Sequence, residues 1–276
     1  MSSTHGPGPD PTPTGRTDTP SQAKTPAGSL WLVPAPLDFG CDVEVPLQDL
    51  MPTGTLQAAA RLSHWVCENA KSTRAYLKRV NAVVPLTHPI QEHTITELPR
   101  AVHKKGDHQG EFDARGLLQA ALAGHDVGLI SEAGMPALAD PGVSVVRAAH
   151  RLGIAVRPLV GPSSLPLAMA ASGLNGQQFS FVGYLPAQAQ ERAQRLRELE
   201  ALAKRSGTAQ WFIETPYRNA ALWDTLLQVL APSTWLACCS GLTLPQQQVH
   251  CHDVQVWRRQ ATPAALHLPT VFGIGV

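Results

Sequence analysis

The order of apolar and polar positions in residues 127–186 organises the whole chain. Short apolar runs alternate with helical patterns of period 3.6, and glycine or proline stands at each change of period. This order predicts strand, loop, helix, strand, loop, helix and strand in succession. Two Gly/Pro loops at one edge of a parallel sheet form a ligand crevice, so the pattern predicts a small-molecule site there.

The segment before this stretch has the same alternation. An apolar run at 30–33 predicts a first strand that opens into a Pro-rich loop. A helix is predicted at 55–62 and a strand at 64–67, with a second helix directly after it. Residues 127–130 are apolar on both faces, which is typical of a buried central strand in a parallel sheet.

The pattern changes after Gly176, where residues 179–186 alternate with period two. Further strands and two helices follow, which predicts a mixed sheet. The predicted fold class is therefore α/β with two α/β domains, an N-terminal one with a mostly parallel sheet at 30–162 and a C-terminal one with a mixed sheet at 163–276. The later predicted elements are helices at 188–204 and 219–230 and strands at 208–215, 234–240, 248–256 and 270–276.

Composition limits the classes of protein that fit. Residues 1–29 are rich in Pro, Thr, Ser and Gly and predict a disordered tail. A net charge of +1 gives no global field that attracts polyanions. The five cysteines lack CxxC spacing, so no metal site is expected. No apolar run is long enough to span a membrane and no secretory leader pattern is present, so a cytoplasmic protein is expected.

Several polar residues are candidates for chemistry, and each has two interpretations. Glu68 lies at a strand-to-helix corner, where a carboxylate accepts first-turn N–H groups or faces a ligand. Lys71 and Arg74 either meet an anionic substrate or form a solvated helix face. The basic segment 103–111 predicts a mobile loop that carries phosphate contacts or is simply solvated. Asp140, followed by proline, is predicted to cap the next helix.

Four segments match the motifs of one enzyme family. They are SEAGMPALADPG, similar to S-D-A-G-T-P-x-x-x-D-P-G; VGPSSLPLAMAASGL, similar to a P-G-P-S-A run ending in S-G-L; FSFVGYLP, similar to F-x-x-x-G-F-L-P; and FIETPYR, similar to F-Y-E-S-P-H-R. The chain thus resembles the tetrapyrrole-methylase superfamily of S-adenosylmethionine (SAM)-dependent methyltransferases. Within it, the sequence is most similar to the ribosomal small-subunit methyltransferase I family, which methylates a cytidine 2′-hydroxyl of rRNA.

The resemblance implies SAM bound in a cleft between the two domains, S-adenosylhomocysteine (SAH) as product, and a homodimer. It also implies an RNA ribose 2′-hydroxyl as methyl acceptor, with rRNA or the small ribosomal subunit as partner. Glu68 matches the first residue of the family's E-D-T-R-H-T and is the implied base, and Lys71 stands where that motif has Arg and could orient a phosphate. The implied cofactor-binding residues are Pro36, Glu132, Ala133, Gly134, Met135, Pro136, Pro162, Ser163, Ser164, Phe212 and Glu214.

The sequence also departs from the family's motifs. The second acid of E-D-T is Asn69, the acid of S-D-A-G is lengthened to Glu132, and R-E-L-T-K is replaced by SGLTL at 240–244. These positions lie where substrate recognition is expected, so the chain resembles a divergent paralogue. Two alternatives stay open: a methyltransferase acting on a small molecule or protein, and a non-catalytic SAM-binding module.

Overall fold

Two five-stranded sheets follow one another in the described part of the chain. The computed structural model describes residues 1–2, 26–105, 107 and 112–276. Residues 3–25 of the predicted tail lie outside the described residues, as do 106 and 108–111 of the basic segment. In the described ranges, no helix is both long and apolar enough to cross a membrane.

The first sheet is parallel throughout, in the order β3-β2-β4-β1-β5. Val33 at the end of β1 lies beside Ile130 at the end of β4, so the loops after both strands leave the same edge. The chain runs from β1 to one side and from β4 to the other, which places a topological switch point between them. The strands are β1 (Ser29–Val33), β2 (His64–Cys67), β3 (Thr94–Glu97), β4 (Val127–Ile130) and β5 (Ala155–Pro158).

Helices cover both faces of this sheet. One face buries Leu56 and Leu77 against Trp65, and the other buries Leu118 and Val145 in a cluster with the sheet's own apolar residues. This double cover explains why β4 is apolar at every position. The helices are α1 (Leu47–Leu50), α2 (Thr53–Arg61), α3 (Ala70–Val83), α4 (Arg100–Lys105), α5 (Gln119–Leu122) and α6 (Val143–Arg151), with 3₁₀ turns at Ile90–Glu92 and Arg115–Leu118.

The second sheet is mixed, in the order β6-β7-β10-β8-β9, with a parallel β6–β7 pair and antiparallel pairs beyond it. One face packs Phe212 and Phe272 under α8 and α9, and the other packs Trp211 and Val271 under α7. The elements are α7 (Ser164–Ser172), β6 (Phe179–Tyr184), α8 (Ala189–Ser206), β7 (Ala209–Glu214), α9 (Asn219–Val229), β8 (Trp235–Ser240), β9 (Gln248–Asp253), α10 (Val254–Trp257) and β10 (Thr270–Gly275), with 3₁₀ turns at Pro216–Arg218 and Ala264–His267.

The predicted α/β class, with a parallel sheet followed by a mixed one, is confirmed. Three local predictions were wrong. The strand predicted at 248–256 ends at Asp253, where a short helix begins. Strand β3 was missed, because it is largely exposed and lacks a buried apolar face. Residues 103–105 belong to the end of α4 and not to a loop.

The predicted cap of α6 was also wrong. Gly142, with φ at +131°, holds the N-cap position in place of Asp140. The carboxylate of Asp107 accepts the Gly142 N–H at 3.2 Å and the Ser144 N–H at 2.6 Å, and it also accepts the Ser144 hydroxyl. A residue distant in sequence therefore supplies the capping group. The Asp140 side chain is therefore not the cap of α6.

Candidate functional site

The loops after β1 and β4 are joined to each other at the switch point. Ala35 and Gly134 form an antiparallel bridge, with N–H to carbonyl distances of 2.8 and 3.0 Å. Gly134 has φ at +74°, a conformation that glycine adopts without a Cβ penalty. The glycine that the sequence singled out thus lets the β4 loop fold back onto the β1 loop.

A cavity of about 240 Å³ lies on one side of this bridge, between the two sheets. The first sheet contributes its β1 and β4 loops, and the second contributes the ends of β7, β8 and β10. We call it the first cavity. Its lining residues include six of the predicted cofactor residues: Ala133, Gly134, Met135, Ser163, Ser164 and Glu214.

A second cavity of about 430 Å³ lies between the same two loops and α3. It is lined by Lys71, one of the two predicted catalytic residues, and by the predicted cofactor residues Pro36 and Glu132. Phe39 lines both cavities. The structure therefore divides the predicted residues between two adjoining spaces.

The β4 loop forms the wall between these spaces. Ser131 and Glu132 line the second cavity, whereas Ala133 and Gly134 directly after them line the first. The β1 loop divides in the same way, since Pro36 faces the second cavity and Leu37 the first. Two ligands, one on each side, would meet at the exposed ring of Phe39.

Four predicted site residues lie away from the linings that the described residues define. The Phe212 side chain is 0% exposed and its ring packs 6.1 Å from that of Phe272 in the core of the second sheet. The neighbouring Ile213 lines the first cavity instead, because successive strand residues face opposite sides. Pro136 and Pro162 are buried, and Glu68 is partly buried.

Glu214 is a buried carboxylate at the end of β7. Its side chain is 1% exposed and pairs with Arg218 Nη2 at 2.6 Å. Its other oxygen accepts the Thr215 N–H at 2.8 Å and the Thr215 hydroxyl at 3.2 Å. A buried charge needs such partners, so these contacts fix the carboxylate at the rim of the first cavity.

Asp140 is the site residue that sequence reasoning missed, because proline after it suggested a helix cap. It lines the first cavity. Burial and the negative charges of Glu68 and Glu132 raise the pKa of Asp140 to about 8. The backbone just before Asp140 is strained: Ala137 and Ala139 have φ at +64° and +67°. A carboxyl that holds its proton near neutral pH thus faces the cavity.

The start of α3 lies directly after Glu68. The side chain of Asn69 accepts the N–H groups of Lys71 at 2.8 Å and Ser72 at 3.2 Å, and it is the N-cap. The Ala70 N–H donates to Glu97 at 2.7 Å. Asn69 and Glu97 thus accept N–H groups of the first turn of α3. The negative charge of Glu68 also acts on the carboxyl of Asp140 and contributes to its raised pKa.

The far end of the second cavity is closed by another ion pair. The guanidinium of Arg79 donates to both oxygens of Asp38, at 3.0 and 2.8 Å, and to the Val45 carbonyl at 2.7 Å. The Asp38 side chain is 5% exposed and also accepts the Val45 N–H. Bidentate pairing of this kind holds the β1 loop against α3.

The second sheet supplies lining residues that were not among the predicted site residues. They include Tyr184, Leu242 and Thr270. At Gly241, where the family motif carries charge, a Cβ would lie 2.7 Å from Leu268 Cδ1. A side chain at this position would therefore require Leu268 to move.

Comparison with known proteins identifies the family. A family model described as Tetrapyrrole (Corrin/Porphyrin) Methylases matches residues 53–254. Ribosomal RNA small subunit methyltransferase I of Halalkalibacterium halodurans is 33% identical over 159 residues, 56% of this chain and 53% of that protein. The protein of the same name from Mesorhizobium japonicum is 33% identical over 216 residues, 78% of this chain and 63% of that protein.

The matched part of the chain spans about half the length of these curated relatives. Among solved structures, the methyltransferase CobJ superposes with a TM-score of 0.54 at 17% identity, covering 90% of this chain and 94% of that one. At that identity the superposition shows the fold alone. It extends over both sheets of the chain.

Proposed function

Because the chain belongs to the tetrapyrrole (corrin/porphyrin) methylase family, we propose that it is a SAM-dependent methyltransferase whose cofactor binds in the first cavity. The observation that carries the proposal is the convergence of six predicted cofactor residues on one cavity at the switch point of the parallel sheet. The names of the relatives support ribosomal RNA of the small subunit as the acceptor, and the family resemblance implies a ribose 2′-hydroxyl as the methylated group.

The groups that line the first cavity fit SAM chemically. Leu37, Ile213 and Leu242 offer apolar surface to an adenine ring and a carbon chain. The carboxylate of Glu214 provides negative charge for a cation, and SAM carries positive charge at sulfur and at its amino group. The carboxyl of Asp140 adds an O–H donor near neutral pH and negative charge only as pH rises through about 8. The backbone of Ala133 to Met135 offers N–H and C=O groups without adding side-chain charge.

The chain's own residues would carry the proton and position the acceptor. When bound, SAM supplies an electrophilic methyl group to the acceptor oxygen and leaves as SAH when its carbon–sulfur bond breaks. We assign Glu68 to take the hydroxyl proton, and Asp140 beside it to hold a proton at neutral pH. Lys71, which lines the second cavity, would hold an acceptor phosphate. The acceptor oxygen must approach the methyl carbon in line with the breaking bond and near van der Waals distance. Holding the two reactants in this geometry would therefore supply much of the rate enhancement.

Calorimetry with SAM and with SAH tests the cofactor. Both should bind, and the absence of heat and of a thermal shift at about millimolar ligand would contradict the proposal. Glu68→Gln should keep SAH affinity and lower methyl transfer by roughly 10²–10⁴-fold. Wild-type transfer in that variant would remove Glu68 from the mechanism.

Mass spectrometry of RNA from cells with and without the gene tests the acceptor. Loss of one 2′-O-methyl mark supports the RNA proposal. Unchanged RNA with labelled methyl in a protein or small molecule would support the other acceptor classes. SAM binding without any transfer would indicate a non-catalytic module.

We also propose that the protein acts as a homodimer, as the family resemblance implies. Light scattering coupled to size exclusion measures the mass in solution. A mass of about twice 29.5 kDa supports the dimer, and a mass equal to that of one chain contradicts it.

A further inference from the structure

The second cavity contains polar groups that the cofactor proposal does not use. Its lining comes from the β1 loop, the β4 loop and the stretch of α3 up to Arg79. It meets the first cavity at Phe39 and is separated from it elsewhere by the bridged loops. A methyl donor in the first cavity therefore has the second cavity as an adjoining space into which its acceptor could extend.

Ser131 supplies the first observation that points to a ligand. The residue is 6% exposed and lines the second cavity. Its hydroxyl has no hydrogen-bond partner among the described residues. A buried hydroxyl without a partner costs roughly 1–3 kcal/mol, and rotation about χ1 brings it toward a ligand that donates or accepts. A ligand that places a polar group beside Ser131 would therefore satisfy this hydroxyl.

Phe39 supplies an aromatic face at the mouth shared by both cavities. It is 48% exposed, which is unusual for a large apolar ring inside a concave site. An exposed ring at such a position offers a stacking surface to a planar base, worth roughly 1–3 kcal/mol. A nucleoside has a planar base that can stack on this ring, whereas a simple sugar or an aliphatic substrate has none.

The charges of the second cavity are balanced and not broadly basic. Lys71 and Arg79 line this cavity together with Asp38, Glu44 and Glu132. Arg79 is committed to Asp38 and the Val45 carbonyl, so Lys71 is the cation left at the rim for a phosphate. The first N–H groups of α3 are already accepted by Asn69. The cavity thus suits the neutral base and sugar, with one phosphate outside.

We propose that the second cavity is the acceptor pocket for a single unstacked ribonucleotide, with its base on Phe39, a sugar hydroxyl at Ser131 and a phosphate at Lys71. This inference rests on the proposed function. It adds where the methyl acceptor binds and that the acceptor nucleotide is unstacked. A space of about 430 Å³ bounded by bridged loops holds one nucleotide and excludes a stacked duplex. The target nucleotide must therefore lie in a loop or bulge, or be extruded.

Nucleotide binding to the full chain saturated with SAH tests the location. CMP, UMP, AMP and GMP are titrated by calorimetry or ligand-observed NMR into wild type, Ser131→Ala and Lys71→Gln. Each variant should lower the affinity about fivefold or more and leave SAH affinity unchanged. Lys78→Gln is the matched control, because Lys78 is exposed two turns along the same helix and outside the cavity lining.

Phe39→Leu should weaken both SAH and nucleotides, because the ring lines both cavities. Its control is Phe179→Leu, a phenyl ring of similar exposure, 45%, outside both linings. Nucleotide affinity unchanged in Ser131→Ala and Lys71→Gln overturns the inference, as does wild type that binds SAH but no nucleotide in the low-millimolar range. Failure of wild type to bind SAH would instead contradict the proposed function.

The unstacked state is tested with two RNAs of one sequence, a full duplex and the same duplex with a single bulged nucleotide. Wild type with SAH should bind the bulged RNA about tenfold more tightly or better, and Ser131→Ala should reduce that ratio. Equal affinity for both RNAs would overturn the requirement for an unstacked nucleotide.

Discussion

The two cavities share a wall and one phenyl ring, and they are built from different kinds of groups. The first is lined mainly by backbone loops and by apolar side chains such as Leu37 and Leu242. The second is lined by charged and hydroxyl-bearing side chains from α3 and the facing loops, among them Lys71 and Arg79. A site formed by backbone groups accepts few substitutions in its loops, because some loop positions need φ values that only glycine adopts readily. A site built from side chains can change its specificity without changing the fold.

The largest effect is expected from a change in the shared wall. In Gly134→Val, a β-branched residue must adopt φ near +74°, and its Cβ would lie 3.4 Å from Leu37 Cδ2. The loop should shift and break its bridge to Ala35. SAH affinity should fall at least about tenfold, and nucleotide affinity with it.

Gly153→Val is the matched control for that change. Gly153 has φ at +69° with open space around it, and it lies beyond the C-terminal end of α6, outside both cavity linings. The two variants should lose similar backbone stability in urea titrations. SAH affinity that stays at the wild-type level in Gly134→Val would place the cofactor away from this wall.

A second test compares the two ion pairs whose carboxylates are buried, Arg218–Glu214 and Arg79–Asp38. Arg218→Met leaves Glu214 buried without its cation, and Arg79→Met does the same to Asp38. Each should cost about 3 kcal/mol of unfolding free energy in urea titrations, because an uncompensated buried charge remains. SAH affinity should fall in Arg218→Met, and nucleotide affinity in Arg79→Met.

The exposed pair of Arg115 and Asp113 provides the control for both. Arg115→Met should leave the unfolding free energy close to that of wild type, because solvent screens an exposed pair, and should leave both affinities unchanged. If Arg79→Met and Arg218→Met affect the same ligand equally, the two cavities act as one site and the division between them is wrong.

The same contrast explains what the sequence could predict. The strands at 30–33, 64–67 and 127–130 follow from their apolar pattern, because a parallel sheet covered on both faces needs apolar residues throughout. The loop 131–136 was predictable because its Gly and Pro positions determine its backbone. These features are local in sequence.

Features that depend on distant contacts were not predictable. Asp107 caps α6 from outside its own segment, which leaves Asp140 in the cavity although its sequence context suggests a cap. The inward face of Phe212 depends on the register of β7 against β10, where it pairs with Phe272. Ser131 opens the matched motif SEAGMPALADPG, but the sequence does not show that its hydroxyl is buried without a partner among the described residues. The pairing of Arg79 with Asp38 joins residues 41 positions apart.

A smaller effect is expected in how the first cavity discriminates SAM from SAH. SAM carries one more positive charge than SAH, and Asp140 becomes charged as pH rises through about 8. The ratio of SAM to SAH affinity should therefore rise by about threefold or more between pH 7 and 9. Asp140→Asn should remove this rise. A ratio that changes equally with pH in the variant would assign the titration to another group.

The smallest effect concerns stability. The pKa of Asp140 is raised from 3.8 to about 8, so between these values the folded state binds more protons than the unfolded state. The contribution of Asp140 to stability is thus present below about pH 4 and is lost as pH rises toward 8. Asp140→Asn cannot lose a proton, so its melting temperature relative to wild type should increase over this window, by about 2–4 °C for each kcal/mol recovered. Asp113→Asn, at an exposed carboxyl whose pKa lies near 2, should show no such trend between pH 5 and 9.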